Sequence, residues 1–121
     1  MEARGGRMKS RTLDGSAYAV AGPERAPAVV LIHGLGLNQA VWQWMVPALA
    51  DRFRVITYDL TGHGGSAAPQ GQPVLRDLSL QLASLLDHLG IDRAALVGFS
   101  LGGMVARRFA QDHPALVSAL V

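Results

Sequence analysis

Hydrophobic and polar positions alternate between two periods along this chain. Residues 28–32 (AVVLI) and 94–97 (AALV) are short apolar runs, and 53–58 (FRVITY) is a further run rich in β-branched and aromatic side chains. Such runs predict strands buried on both faces. Between the last two, leucines at 75, 78, 82, 85, 86 and 89 repeat at helical spacing, predicting one apolar face of a helix over 74–89. Pro73 suits the first turn of that helix and Gly90 its C-terminal cap. Helices are also expected over 39–50, with Pro47 as a kink or boundary, and over 101–111, stopped by Pro114. A final apolar strand is expected over 115–121, and the pair Asp14-Gly15 predicts a hairpin joining strands near 8–12 and 16–21.

The order is a hairpin followed by strands and helices in alternation. That order implies a single α/β domain over residues 1–121. Its doubly wound, mostly parallel sheet has helices on both faces, right-handed crossovers and an N-terminal β-hairpin.

Composition narrows the functional classes. Eleven basic residues against nine acidic give a net charge of +2, too slight to suggest a nucleic-acid partner. Arg4, Arg7, Lys9 and Arg11 concentrate part of that charge in residues 1–11, read as a flexible basic arm. There is no cysteine, hence no disulfide, thiol nucleophile or thiolate metal site. No apolar run approaches the ~20 residues of a membrane helix, and no secretory signal core is present. A cytoplasmic protein without a membrane or metal partner is the resulting expectation. His33, His63, His88 and His113 have no metal-ligand spacing, and no cofactor is called for.

The chemistry concentrates in Gly98-Phe99-Ser100-Leu101-Gly102, a G-x-S-x-G string that follows one expected strand and opens the next helix. A serine on such a strand-to-helix turn is presented as a nucleophile, with flanking glycines relieving steric conflict. Gly103 is expected to let the helix start approach the sheet closely. The helix N-terminus brings unpaired N–H groups to the place where an oxyanion would develop. The competing structural reading is a serine N-cap with glycines for tight packing. His33-Gly34-Leu35-Gly36 ends another buried strand on the same side of the sheet. A backbone N–H from that loop could join the Leu101 N–H as a second oxyanion donor.

The segments VVLIHGLG, VITYDLTGHGGS and LVGFSLGG, in this order and spacing, resemble the N-terminal half of the α/β-hydrolase fold family, from about Leu13 to Val121. The stretch from Leu31 to Ser66 is most similar to the esterase and enol-lactonase branch. The resemblance implies Ser100 as nucleophile, the Leu35 and Leu101 amides as oxyanion donors, and Gly34, Gly36, Gly98, Gly102 and Gly103 as supporting positions. It implies a small-molecule acyl substrate (ester, lactone or a related bond). Asp59 and the Gly62–Ser66 loop, including His63, match a structural turn, and His33 a positioning residue.

A serine nucleophile requires a base, and the base an orienting carboxylate, in the chain order Ser, Asp or Glu, His. After Ser100 the sequence offers only Asp112 and His113, roughly 17–18 Å along the helix that Ser100 opens. The chain therefore reads as the N-terminal half of a hydrolase, truncated after the strand that follows the nucleophile helix and inactive alone. Its last strand, 115–121, would be an uncharged edge prone to self-association. Two other readings remain. A non-catalytic small-molecule-binding protein could use the same fold. A dinucleotide-binding domain is suggested by Gly34-Leu35-Gly36 and Asp59, but Gln39 stands where the third glycine belongs.

Overall fold

The computed structural model describes residues 8–12, 14–66 and 73–121. Six strands form one sheet: β1 (Met8–Arg11), β2 (Ala17–Ala21), β3 (Ala28–Ile32), β4 (Arg54–Tyr58), β5 (Ala94–Gly98) and β6 (Val117–Leu120). Their order across the sheet is β1-β2-β4-β3-β5-β6. The β1–β2 hairpin lies antiparallel against β4, while β3, β4, β5 and β6 run parallel. This is the α/β, doubly wound, mostly parallel arrangement read from the sequence. Residues 8–11, expected as a hairpin strand and also counted in a flexible arm, pair with β2 as the hairpin reading requires, and 1–7 lie outside the described residues.

The continuous apolar runs divide between two cores. Val30 and Ile32 of β3, with Ile56 and Tyr58 of β4, face α2 (Leu75–His88) and α3 (Leu101–Asp112). Val29, Leu31 and Val55 point the other way, against Trp42, Val46 and Ala50. Alternation by two is thus preserved, but both faces are covered, so β3 is apolar throughout and the buried Thr57 of β4 is satisfied by the Gln39 side chain.

The helix expected over 39–50 is two pieces: a 3₁₀ turn at Gln39–Trp42, capped by the Asn38 side chain, and α1 (Met45–Leu49). Pro47 decides the break, because its ring would collide with the carbonyl of Gln43 if the helix continued upstream. α2 starts at Leu75, leaving Pro73 just before its N-cap, Val74, rather than in its first turn. Its C-terminal end is closed as expected: Gly90 N–H bonds Asp87 O at 3.1 Å and Ile91 N–H bonds Leu86 O at 2.9 Å. Residues 114–116 form a 3₁₀ turn, so the last strand is shorter than expected.

Candidate active site at the strand-to-helix turn

β5 ends at Gly98 and α3 begins at Leu101, leaving Phe99 and Ser100 to reverse the chain direction. Ser100 has φ 56° and ψ −117°, and among the described residues no other non-glycine has positive φ. Holding a serine there costs on the order of 1–3 kcal/mol, which the surrounding structure must impose. Its hydroxyl makes no cap hydrogen bond to the helix and is exposed. An N-cap serine would use extended backbone and bond the second or third helical amide. The capping alternative therefore fails on both counts.

The flanking glycines are required by backbone, not by the serine side chain. A β-carbon on Gly98 would lie 2.4 Å from Gly102 O, and one on Gly102 would lie 2.1 Å from Ile32 O and 2.6 Å from His33 O. Gly102 is the point where α3 touches the end of β3. Gly103, expected to serve that purpose, would place a β-carbon no closer than 3.5 Å to Gly98 O, an ordinary contact.

Within the first turn of α3, Gly102 N–H bonds Phe99 O, and the Gly103 and Met104 amides bond Ser100 O. Among the described residues the Leu101 N–H has no acceptor, and neither does that of Leu35. The Leu35 loop follows β3, the central neighbour of β5, and packs on the turn: a β-carbon at Gly34 would sit 3.1 Å from the Phe99 ring and 3.2 Å from Phe99 O. Phe99 N–H in turn bonds Ile32 O at 3.0 Å. The two segments read from the sequence as one site are thus joined.

His33 orients the loop. Its buried Nε2 accepts the Leu60 N–H at 2.9 Å, so the ring proton resides on Nδ1 and is donated to Gly34 O at 2.7 Å. With Gly34 O drawn toward His33, the N–H of the same trans peptide, that of Leu35, is directed away from it. Burial, together with the neighbouring His63, holds His33 below the ordinary histidine range; the Gly34 bond and Asp59 oppose this only in part. Asp59 ties the neighbouring loops, accepting Gln39 N–H at 2.8 Å on Oδ1 and Gly65 N–H at 2.9 Å on Oδ2. Gln81 of α2 completes the arrangement by donating to Asp59 O and accepting from Thr61 N–H.

None of the four histidines is directed at Ser100. His63 accepts Gly36 N–H at 3.0 Å on Nε2 and faces Thr61 O with Nδ1. The exposed His88 lies 3.4 Å from the Tyr18 hydroxyl. His113 stacks on Phe109 at the far end of α3, and Asp112 there accepts from Arg108 and Ser79. The contact between His63 and Gly36 is the feature the sequence did not reveal, since 27 residues separate the partners. Beside Ser100 an open cavity of about 430 Å³ runs along Met104 and Arg107 of α3 to Leu120 and Val121.

A family model described as alpha/beta hydrolase fold matches residues 27–121, which include both loops and the turn. The chain belongs to the alpha/beta hydrolase fold family. This hydrolase-family chain is 36% identical over 97 residues to 3-oxoadipate enol-lactonase 2 of Acinetobacter baylyi, covering 80% of the chain and 36% of the relative. It is 41% identical over 98 residues to pimeloyl-[acyl-carrier protein] methyl ester esterase of Aeromonas hydrophila, covering 80% of the chain and 37% of the relative. The crystal structure of the enol-lactonase from Burkholderia xenovorans superposes with a TM-score of 0.84 at 33% identity, over 91% of this chain and 44% of that one. The chain thus spans just over a third of the length of these curated relatives. No described helix is long and apolar enough to cross a membrane.

Proposed function

We propose that this chain is the nucleophile-bearing part of a cytoplasmic serine hydrolase that cleaves carboxylic ester, lactone or related acyl bonds through an acyl-enzyme. The observation that carries the reading is the strained, uncapped Ser100 between Gly98 and Gly102. A buried structural serine has no need of that conformation; a nucleophile that must project from the sheet does.

In the proposed reaction the Ser100 Oγ attacks the acyl carbon while its proton passes to a base. The carbonyl oxygen becomes an oxyanion between the Leu35 and Leu101 amides, and the alcohol or enol leaves with a proton returned by the base. Each amide would stabilise the transition state by around 3 kcal/mol. Water then releases the acid by the same steps. His33 would keep the Leu35 donor aimed through its bond to Gly34 O. Among the described residues no histidine is directed at Ser100, so in this reading the base and its carboxylate come from elsewhere and this segment alone is expected to be inactive. The names of the relatives, an enol-lactonase and a methyl ester esterase, support this acyl chemistry.

The alternative is a non-catalytic small-molecule-binding protein on the same fold. Labelling by a fluorophosphonate separates the two. Extended through the missing triad members, the protein should be labelled at Ser100 and should hydrolyse p-nitrophenyl esters or an enol-lactone, and Ser100→Ala should abolish both. A folded, extended protein without label or turnover would refute the catalytic reading in favour of binding.

A further inference from the structure

Beyond the contact of Gly34 with Phe99, Leu35 and Gly36 carry little packing. Leu35 is 73% exposed, and a β-carbon on Gly36 would meet nothing within 4 Å. Gly36 has φ +76°, a region a glycine leaves as readily as it enters. Hydrogen bonds therefore hold the loop. Two of them, from His33 Nδ1–H and Leu37 N–H, converge on Gly34 O and fix the peptide on the N-terminal side of Leu35. The peptide on its C-terminal side is held through a third bond, Gly36 N–H to His63 Nε2 at 3.0 Å.

That third bond needs a lone pair. His63 is half-buried and open to solvent protons, and its other nitrogen, Nδ1, faces Thr61 O at 3.3 Å as a donor. A proton arriving at Nε2 converts the acceptor into a second donor, facing another donor, and the bond to Gly36 is lost. We infer that His63 is a pH-sensitive positioning residue, whose neutral ring pins the Gly36 amide and whose protonation frees the C-terminal side of Leu35. The consequence for an oxyanion donor at Leu35 rests on the proposed function; the latch itself does not.

Of the two neighbouring rings, His63 is the one open to solvent. His33, with ring centroid 5.1 Å away, is buried and engaged at both nitrogens, and burial disfavours its charged form. Asp59 is committed to the Gln39 and Gly65 amides, and Arg11 of β1 to Gly65 O. On the outer side, Asp14 of the hairpin and Asp77 of α2 line a cavity with Thr61, Asp14 accepting from Thr12 and Ser16 and Asp77 from the Val74 N–H.

The test follows the Gly36 amide proton and the His63 ring proton by NMR as the protein, as a full chain, is taken from about pH 8 to 5, the range of histidine titration. In the wild type the Gly36 signal should move upfield with the same midpoint as His63. In His63→Gln, whose amide oxygen can accept the bond but cannot be protonated, it should stay flat at the high-pH position. His63→Ala should place it at the low-pH position throughout; if that variant does not fold, the other two titrations still decide. A Gly36 signal that ignores the titration of His63, moves equally in His63→Gln, or accompanies a His63 that does not titrate in this range overturns the latch. In the active enzyme, His63→Ala should lower kcat with little change in KM, and His63→Gln should restore it and remove the added acid loss. Gly36 coupling without labelling of Ser100 would leave the latch and refute the function; labelling without coupling would do the reverse.

Discussion

Gly102 and Gly103 are adjacent, both lie in the first turn of α3, and both look interchangeable as letters, yet the structure predicts opposite responses to alanine. Replacing a helical glycine by alanine removes excess freedom from the unfolded chain and contributes about 0.5–1 kcal/mol of stability where the site accepts a β-carbon. At 103 the nearest atom would be 3.5 Å away, in ordinary contact, so the full gain should appear. At 102 the new carbon would lie 2.1 Å from the carbonyl oxygen of Ile32, more than 1 Å inside normal contact. The obstacle is strand backbone, which cannot rotate aside, so α3 must lift from β3 or the loop after β3 must move. Overpacking of this kind costs about 1–3 kcal/mol, leaving a net loss of about 1 kcal/mol at the middle of that range after the helix gain. Thermal denaturation followed by Trp42 and Trp44 fluorescence measures both variants against the parent. The two melting temperatures should separate by roughly 5–10 °C, with Gly103→Ala above the parent and Gly102→Ala below it. Shifts of the same sign would refute the close approach of α3 to β3 and, with it, the geometry assigned to the turn.

Ser100→Gly should raise stability by around 1 kcal/mol by relieving φ 56°, whereas Ser100→Ala should not; equal melting temperatures would mean that Ser100 is not strained. The Tyr58 hydroxyl is fully buried with no hydrogen-bond partner among the described residues, so Tyr58→Phe should be neutral or stabilising by about 1 kcal/mol. Burial pushes the Tyr58 phenol above its ordinary value. The unfolded phenol ionises above about pH 10 while the folded one stays neutral, so stability should fall there in the parent and fall less in Tyr58→Phe. A parent stability that is flat between about pH 9 and 11 would contradict that burial. Along β6, Ser118, Ala119 and Leu120 are exposed on an uncharged strand at the end of the sheet. The 121-residue chain should self-associate through it in sedimentation experiments, Ala119→Lys should reduce the association, and a monodisperse parent would refute the expectation.

What the sequence determined by itself was local or periodic. β3 and β5 were legible because a strand buried on both faces reads as a continuous apolar run, β4 because it is rich in β-branched and aromatic residues, and α2 because its leucines repeat at the helical period. The elbow was legible because a serine forced between a strand and a helix needs glycine on both sides within five residues. The sequence did not reveal which backbone those glycines spare. That depends on β3 lying beside β5, a long-range pairing that put Ile32 O against Gly102 and left Gly103 uncrowded. The break between residues 42 and 45 followed from one proline acting on the carbonyl four residues earlier, which hydrophobic spacing does not register. The roles of the histidines were tertiary altogether. His33 and His63 are thirty residues apart in sequence, and only the parallel pairing of β3 with β4 brings their rings to 5.1 Å and onto the same loop. A hydrogen bond from a ring nitrogen to a distant amide leaves no period in the sequence, because it depends on where two strands end rather than on what lies between them.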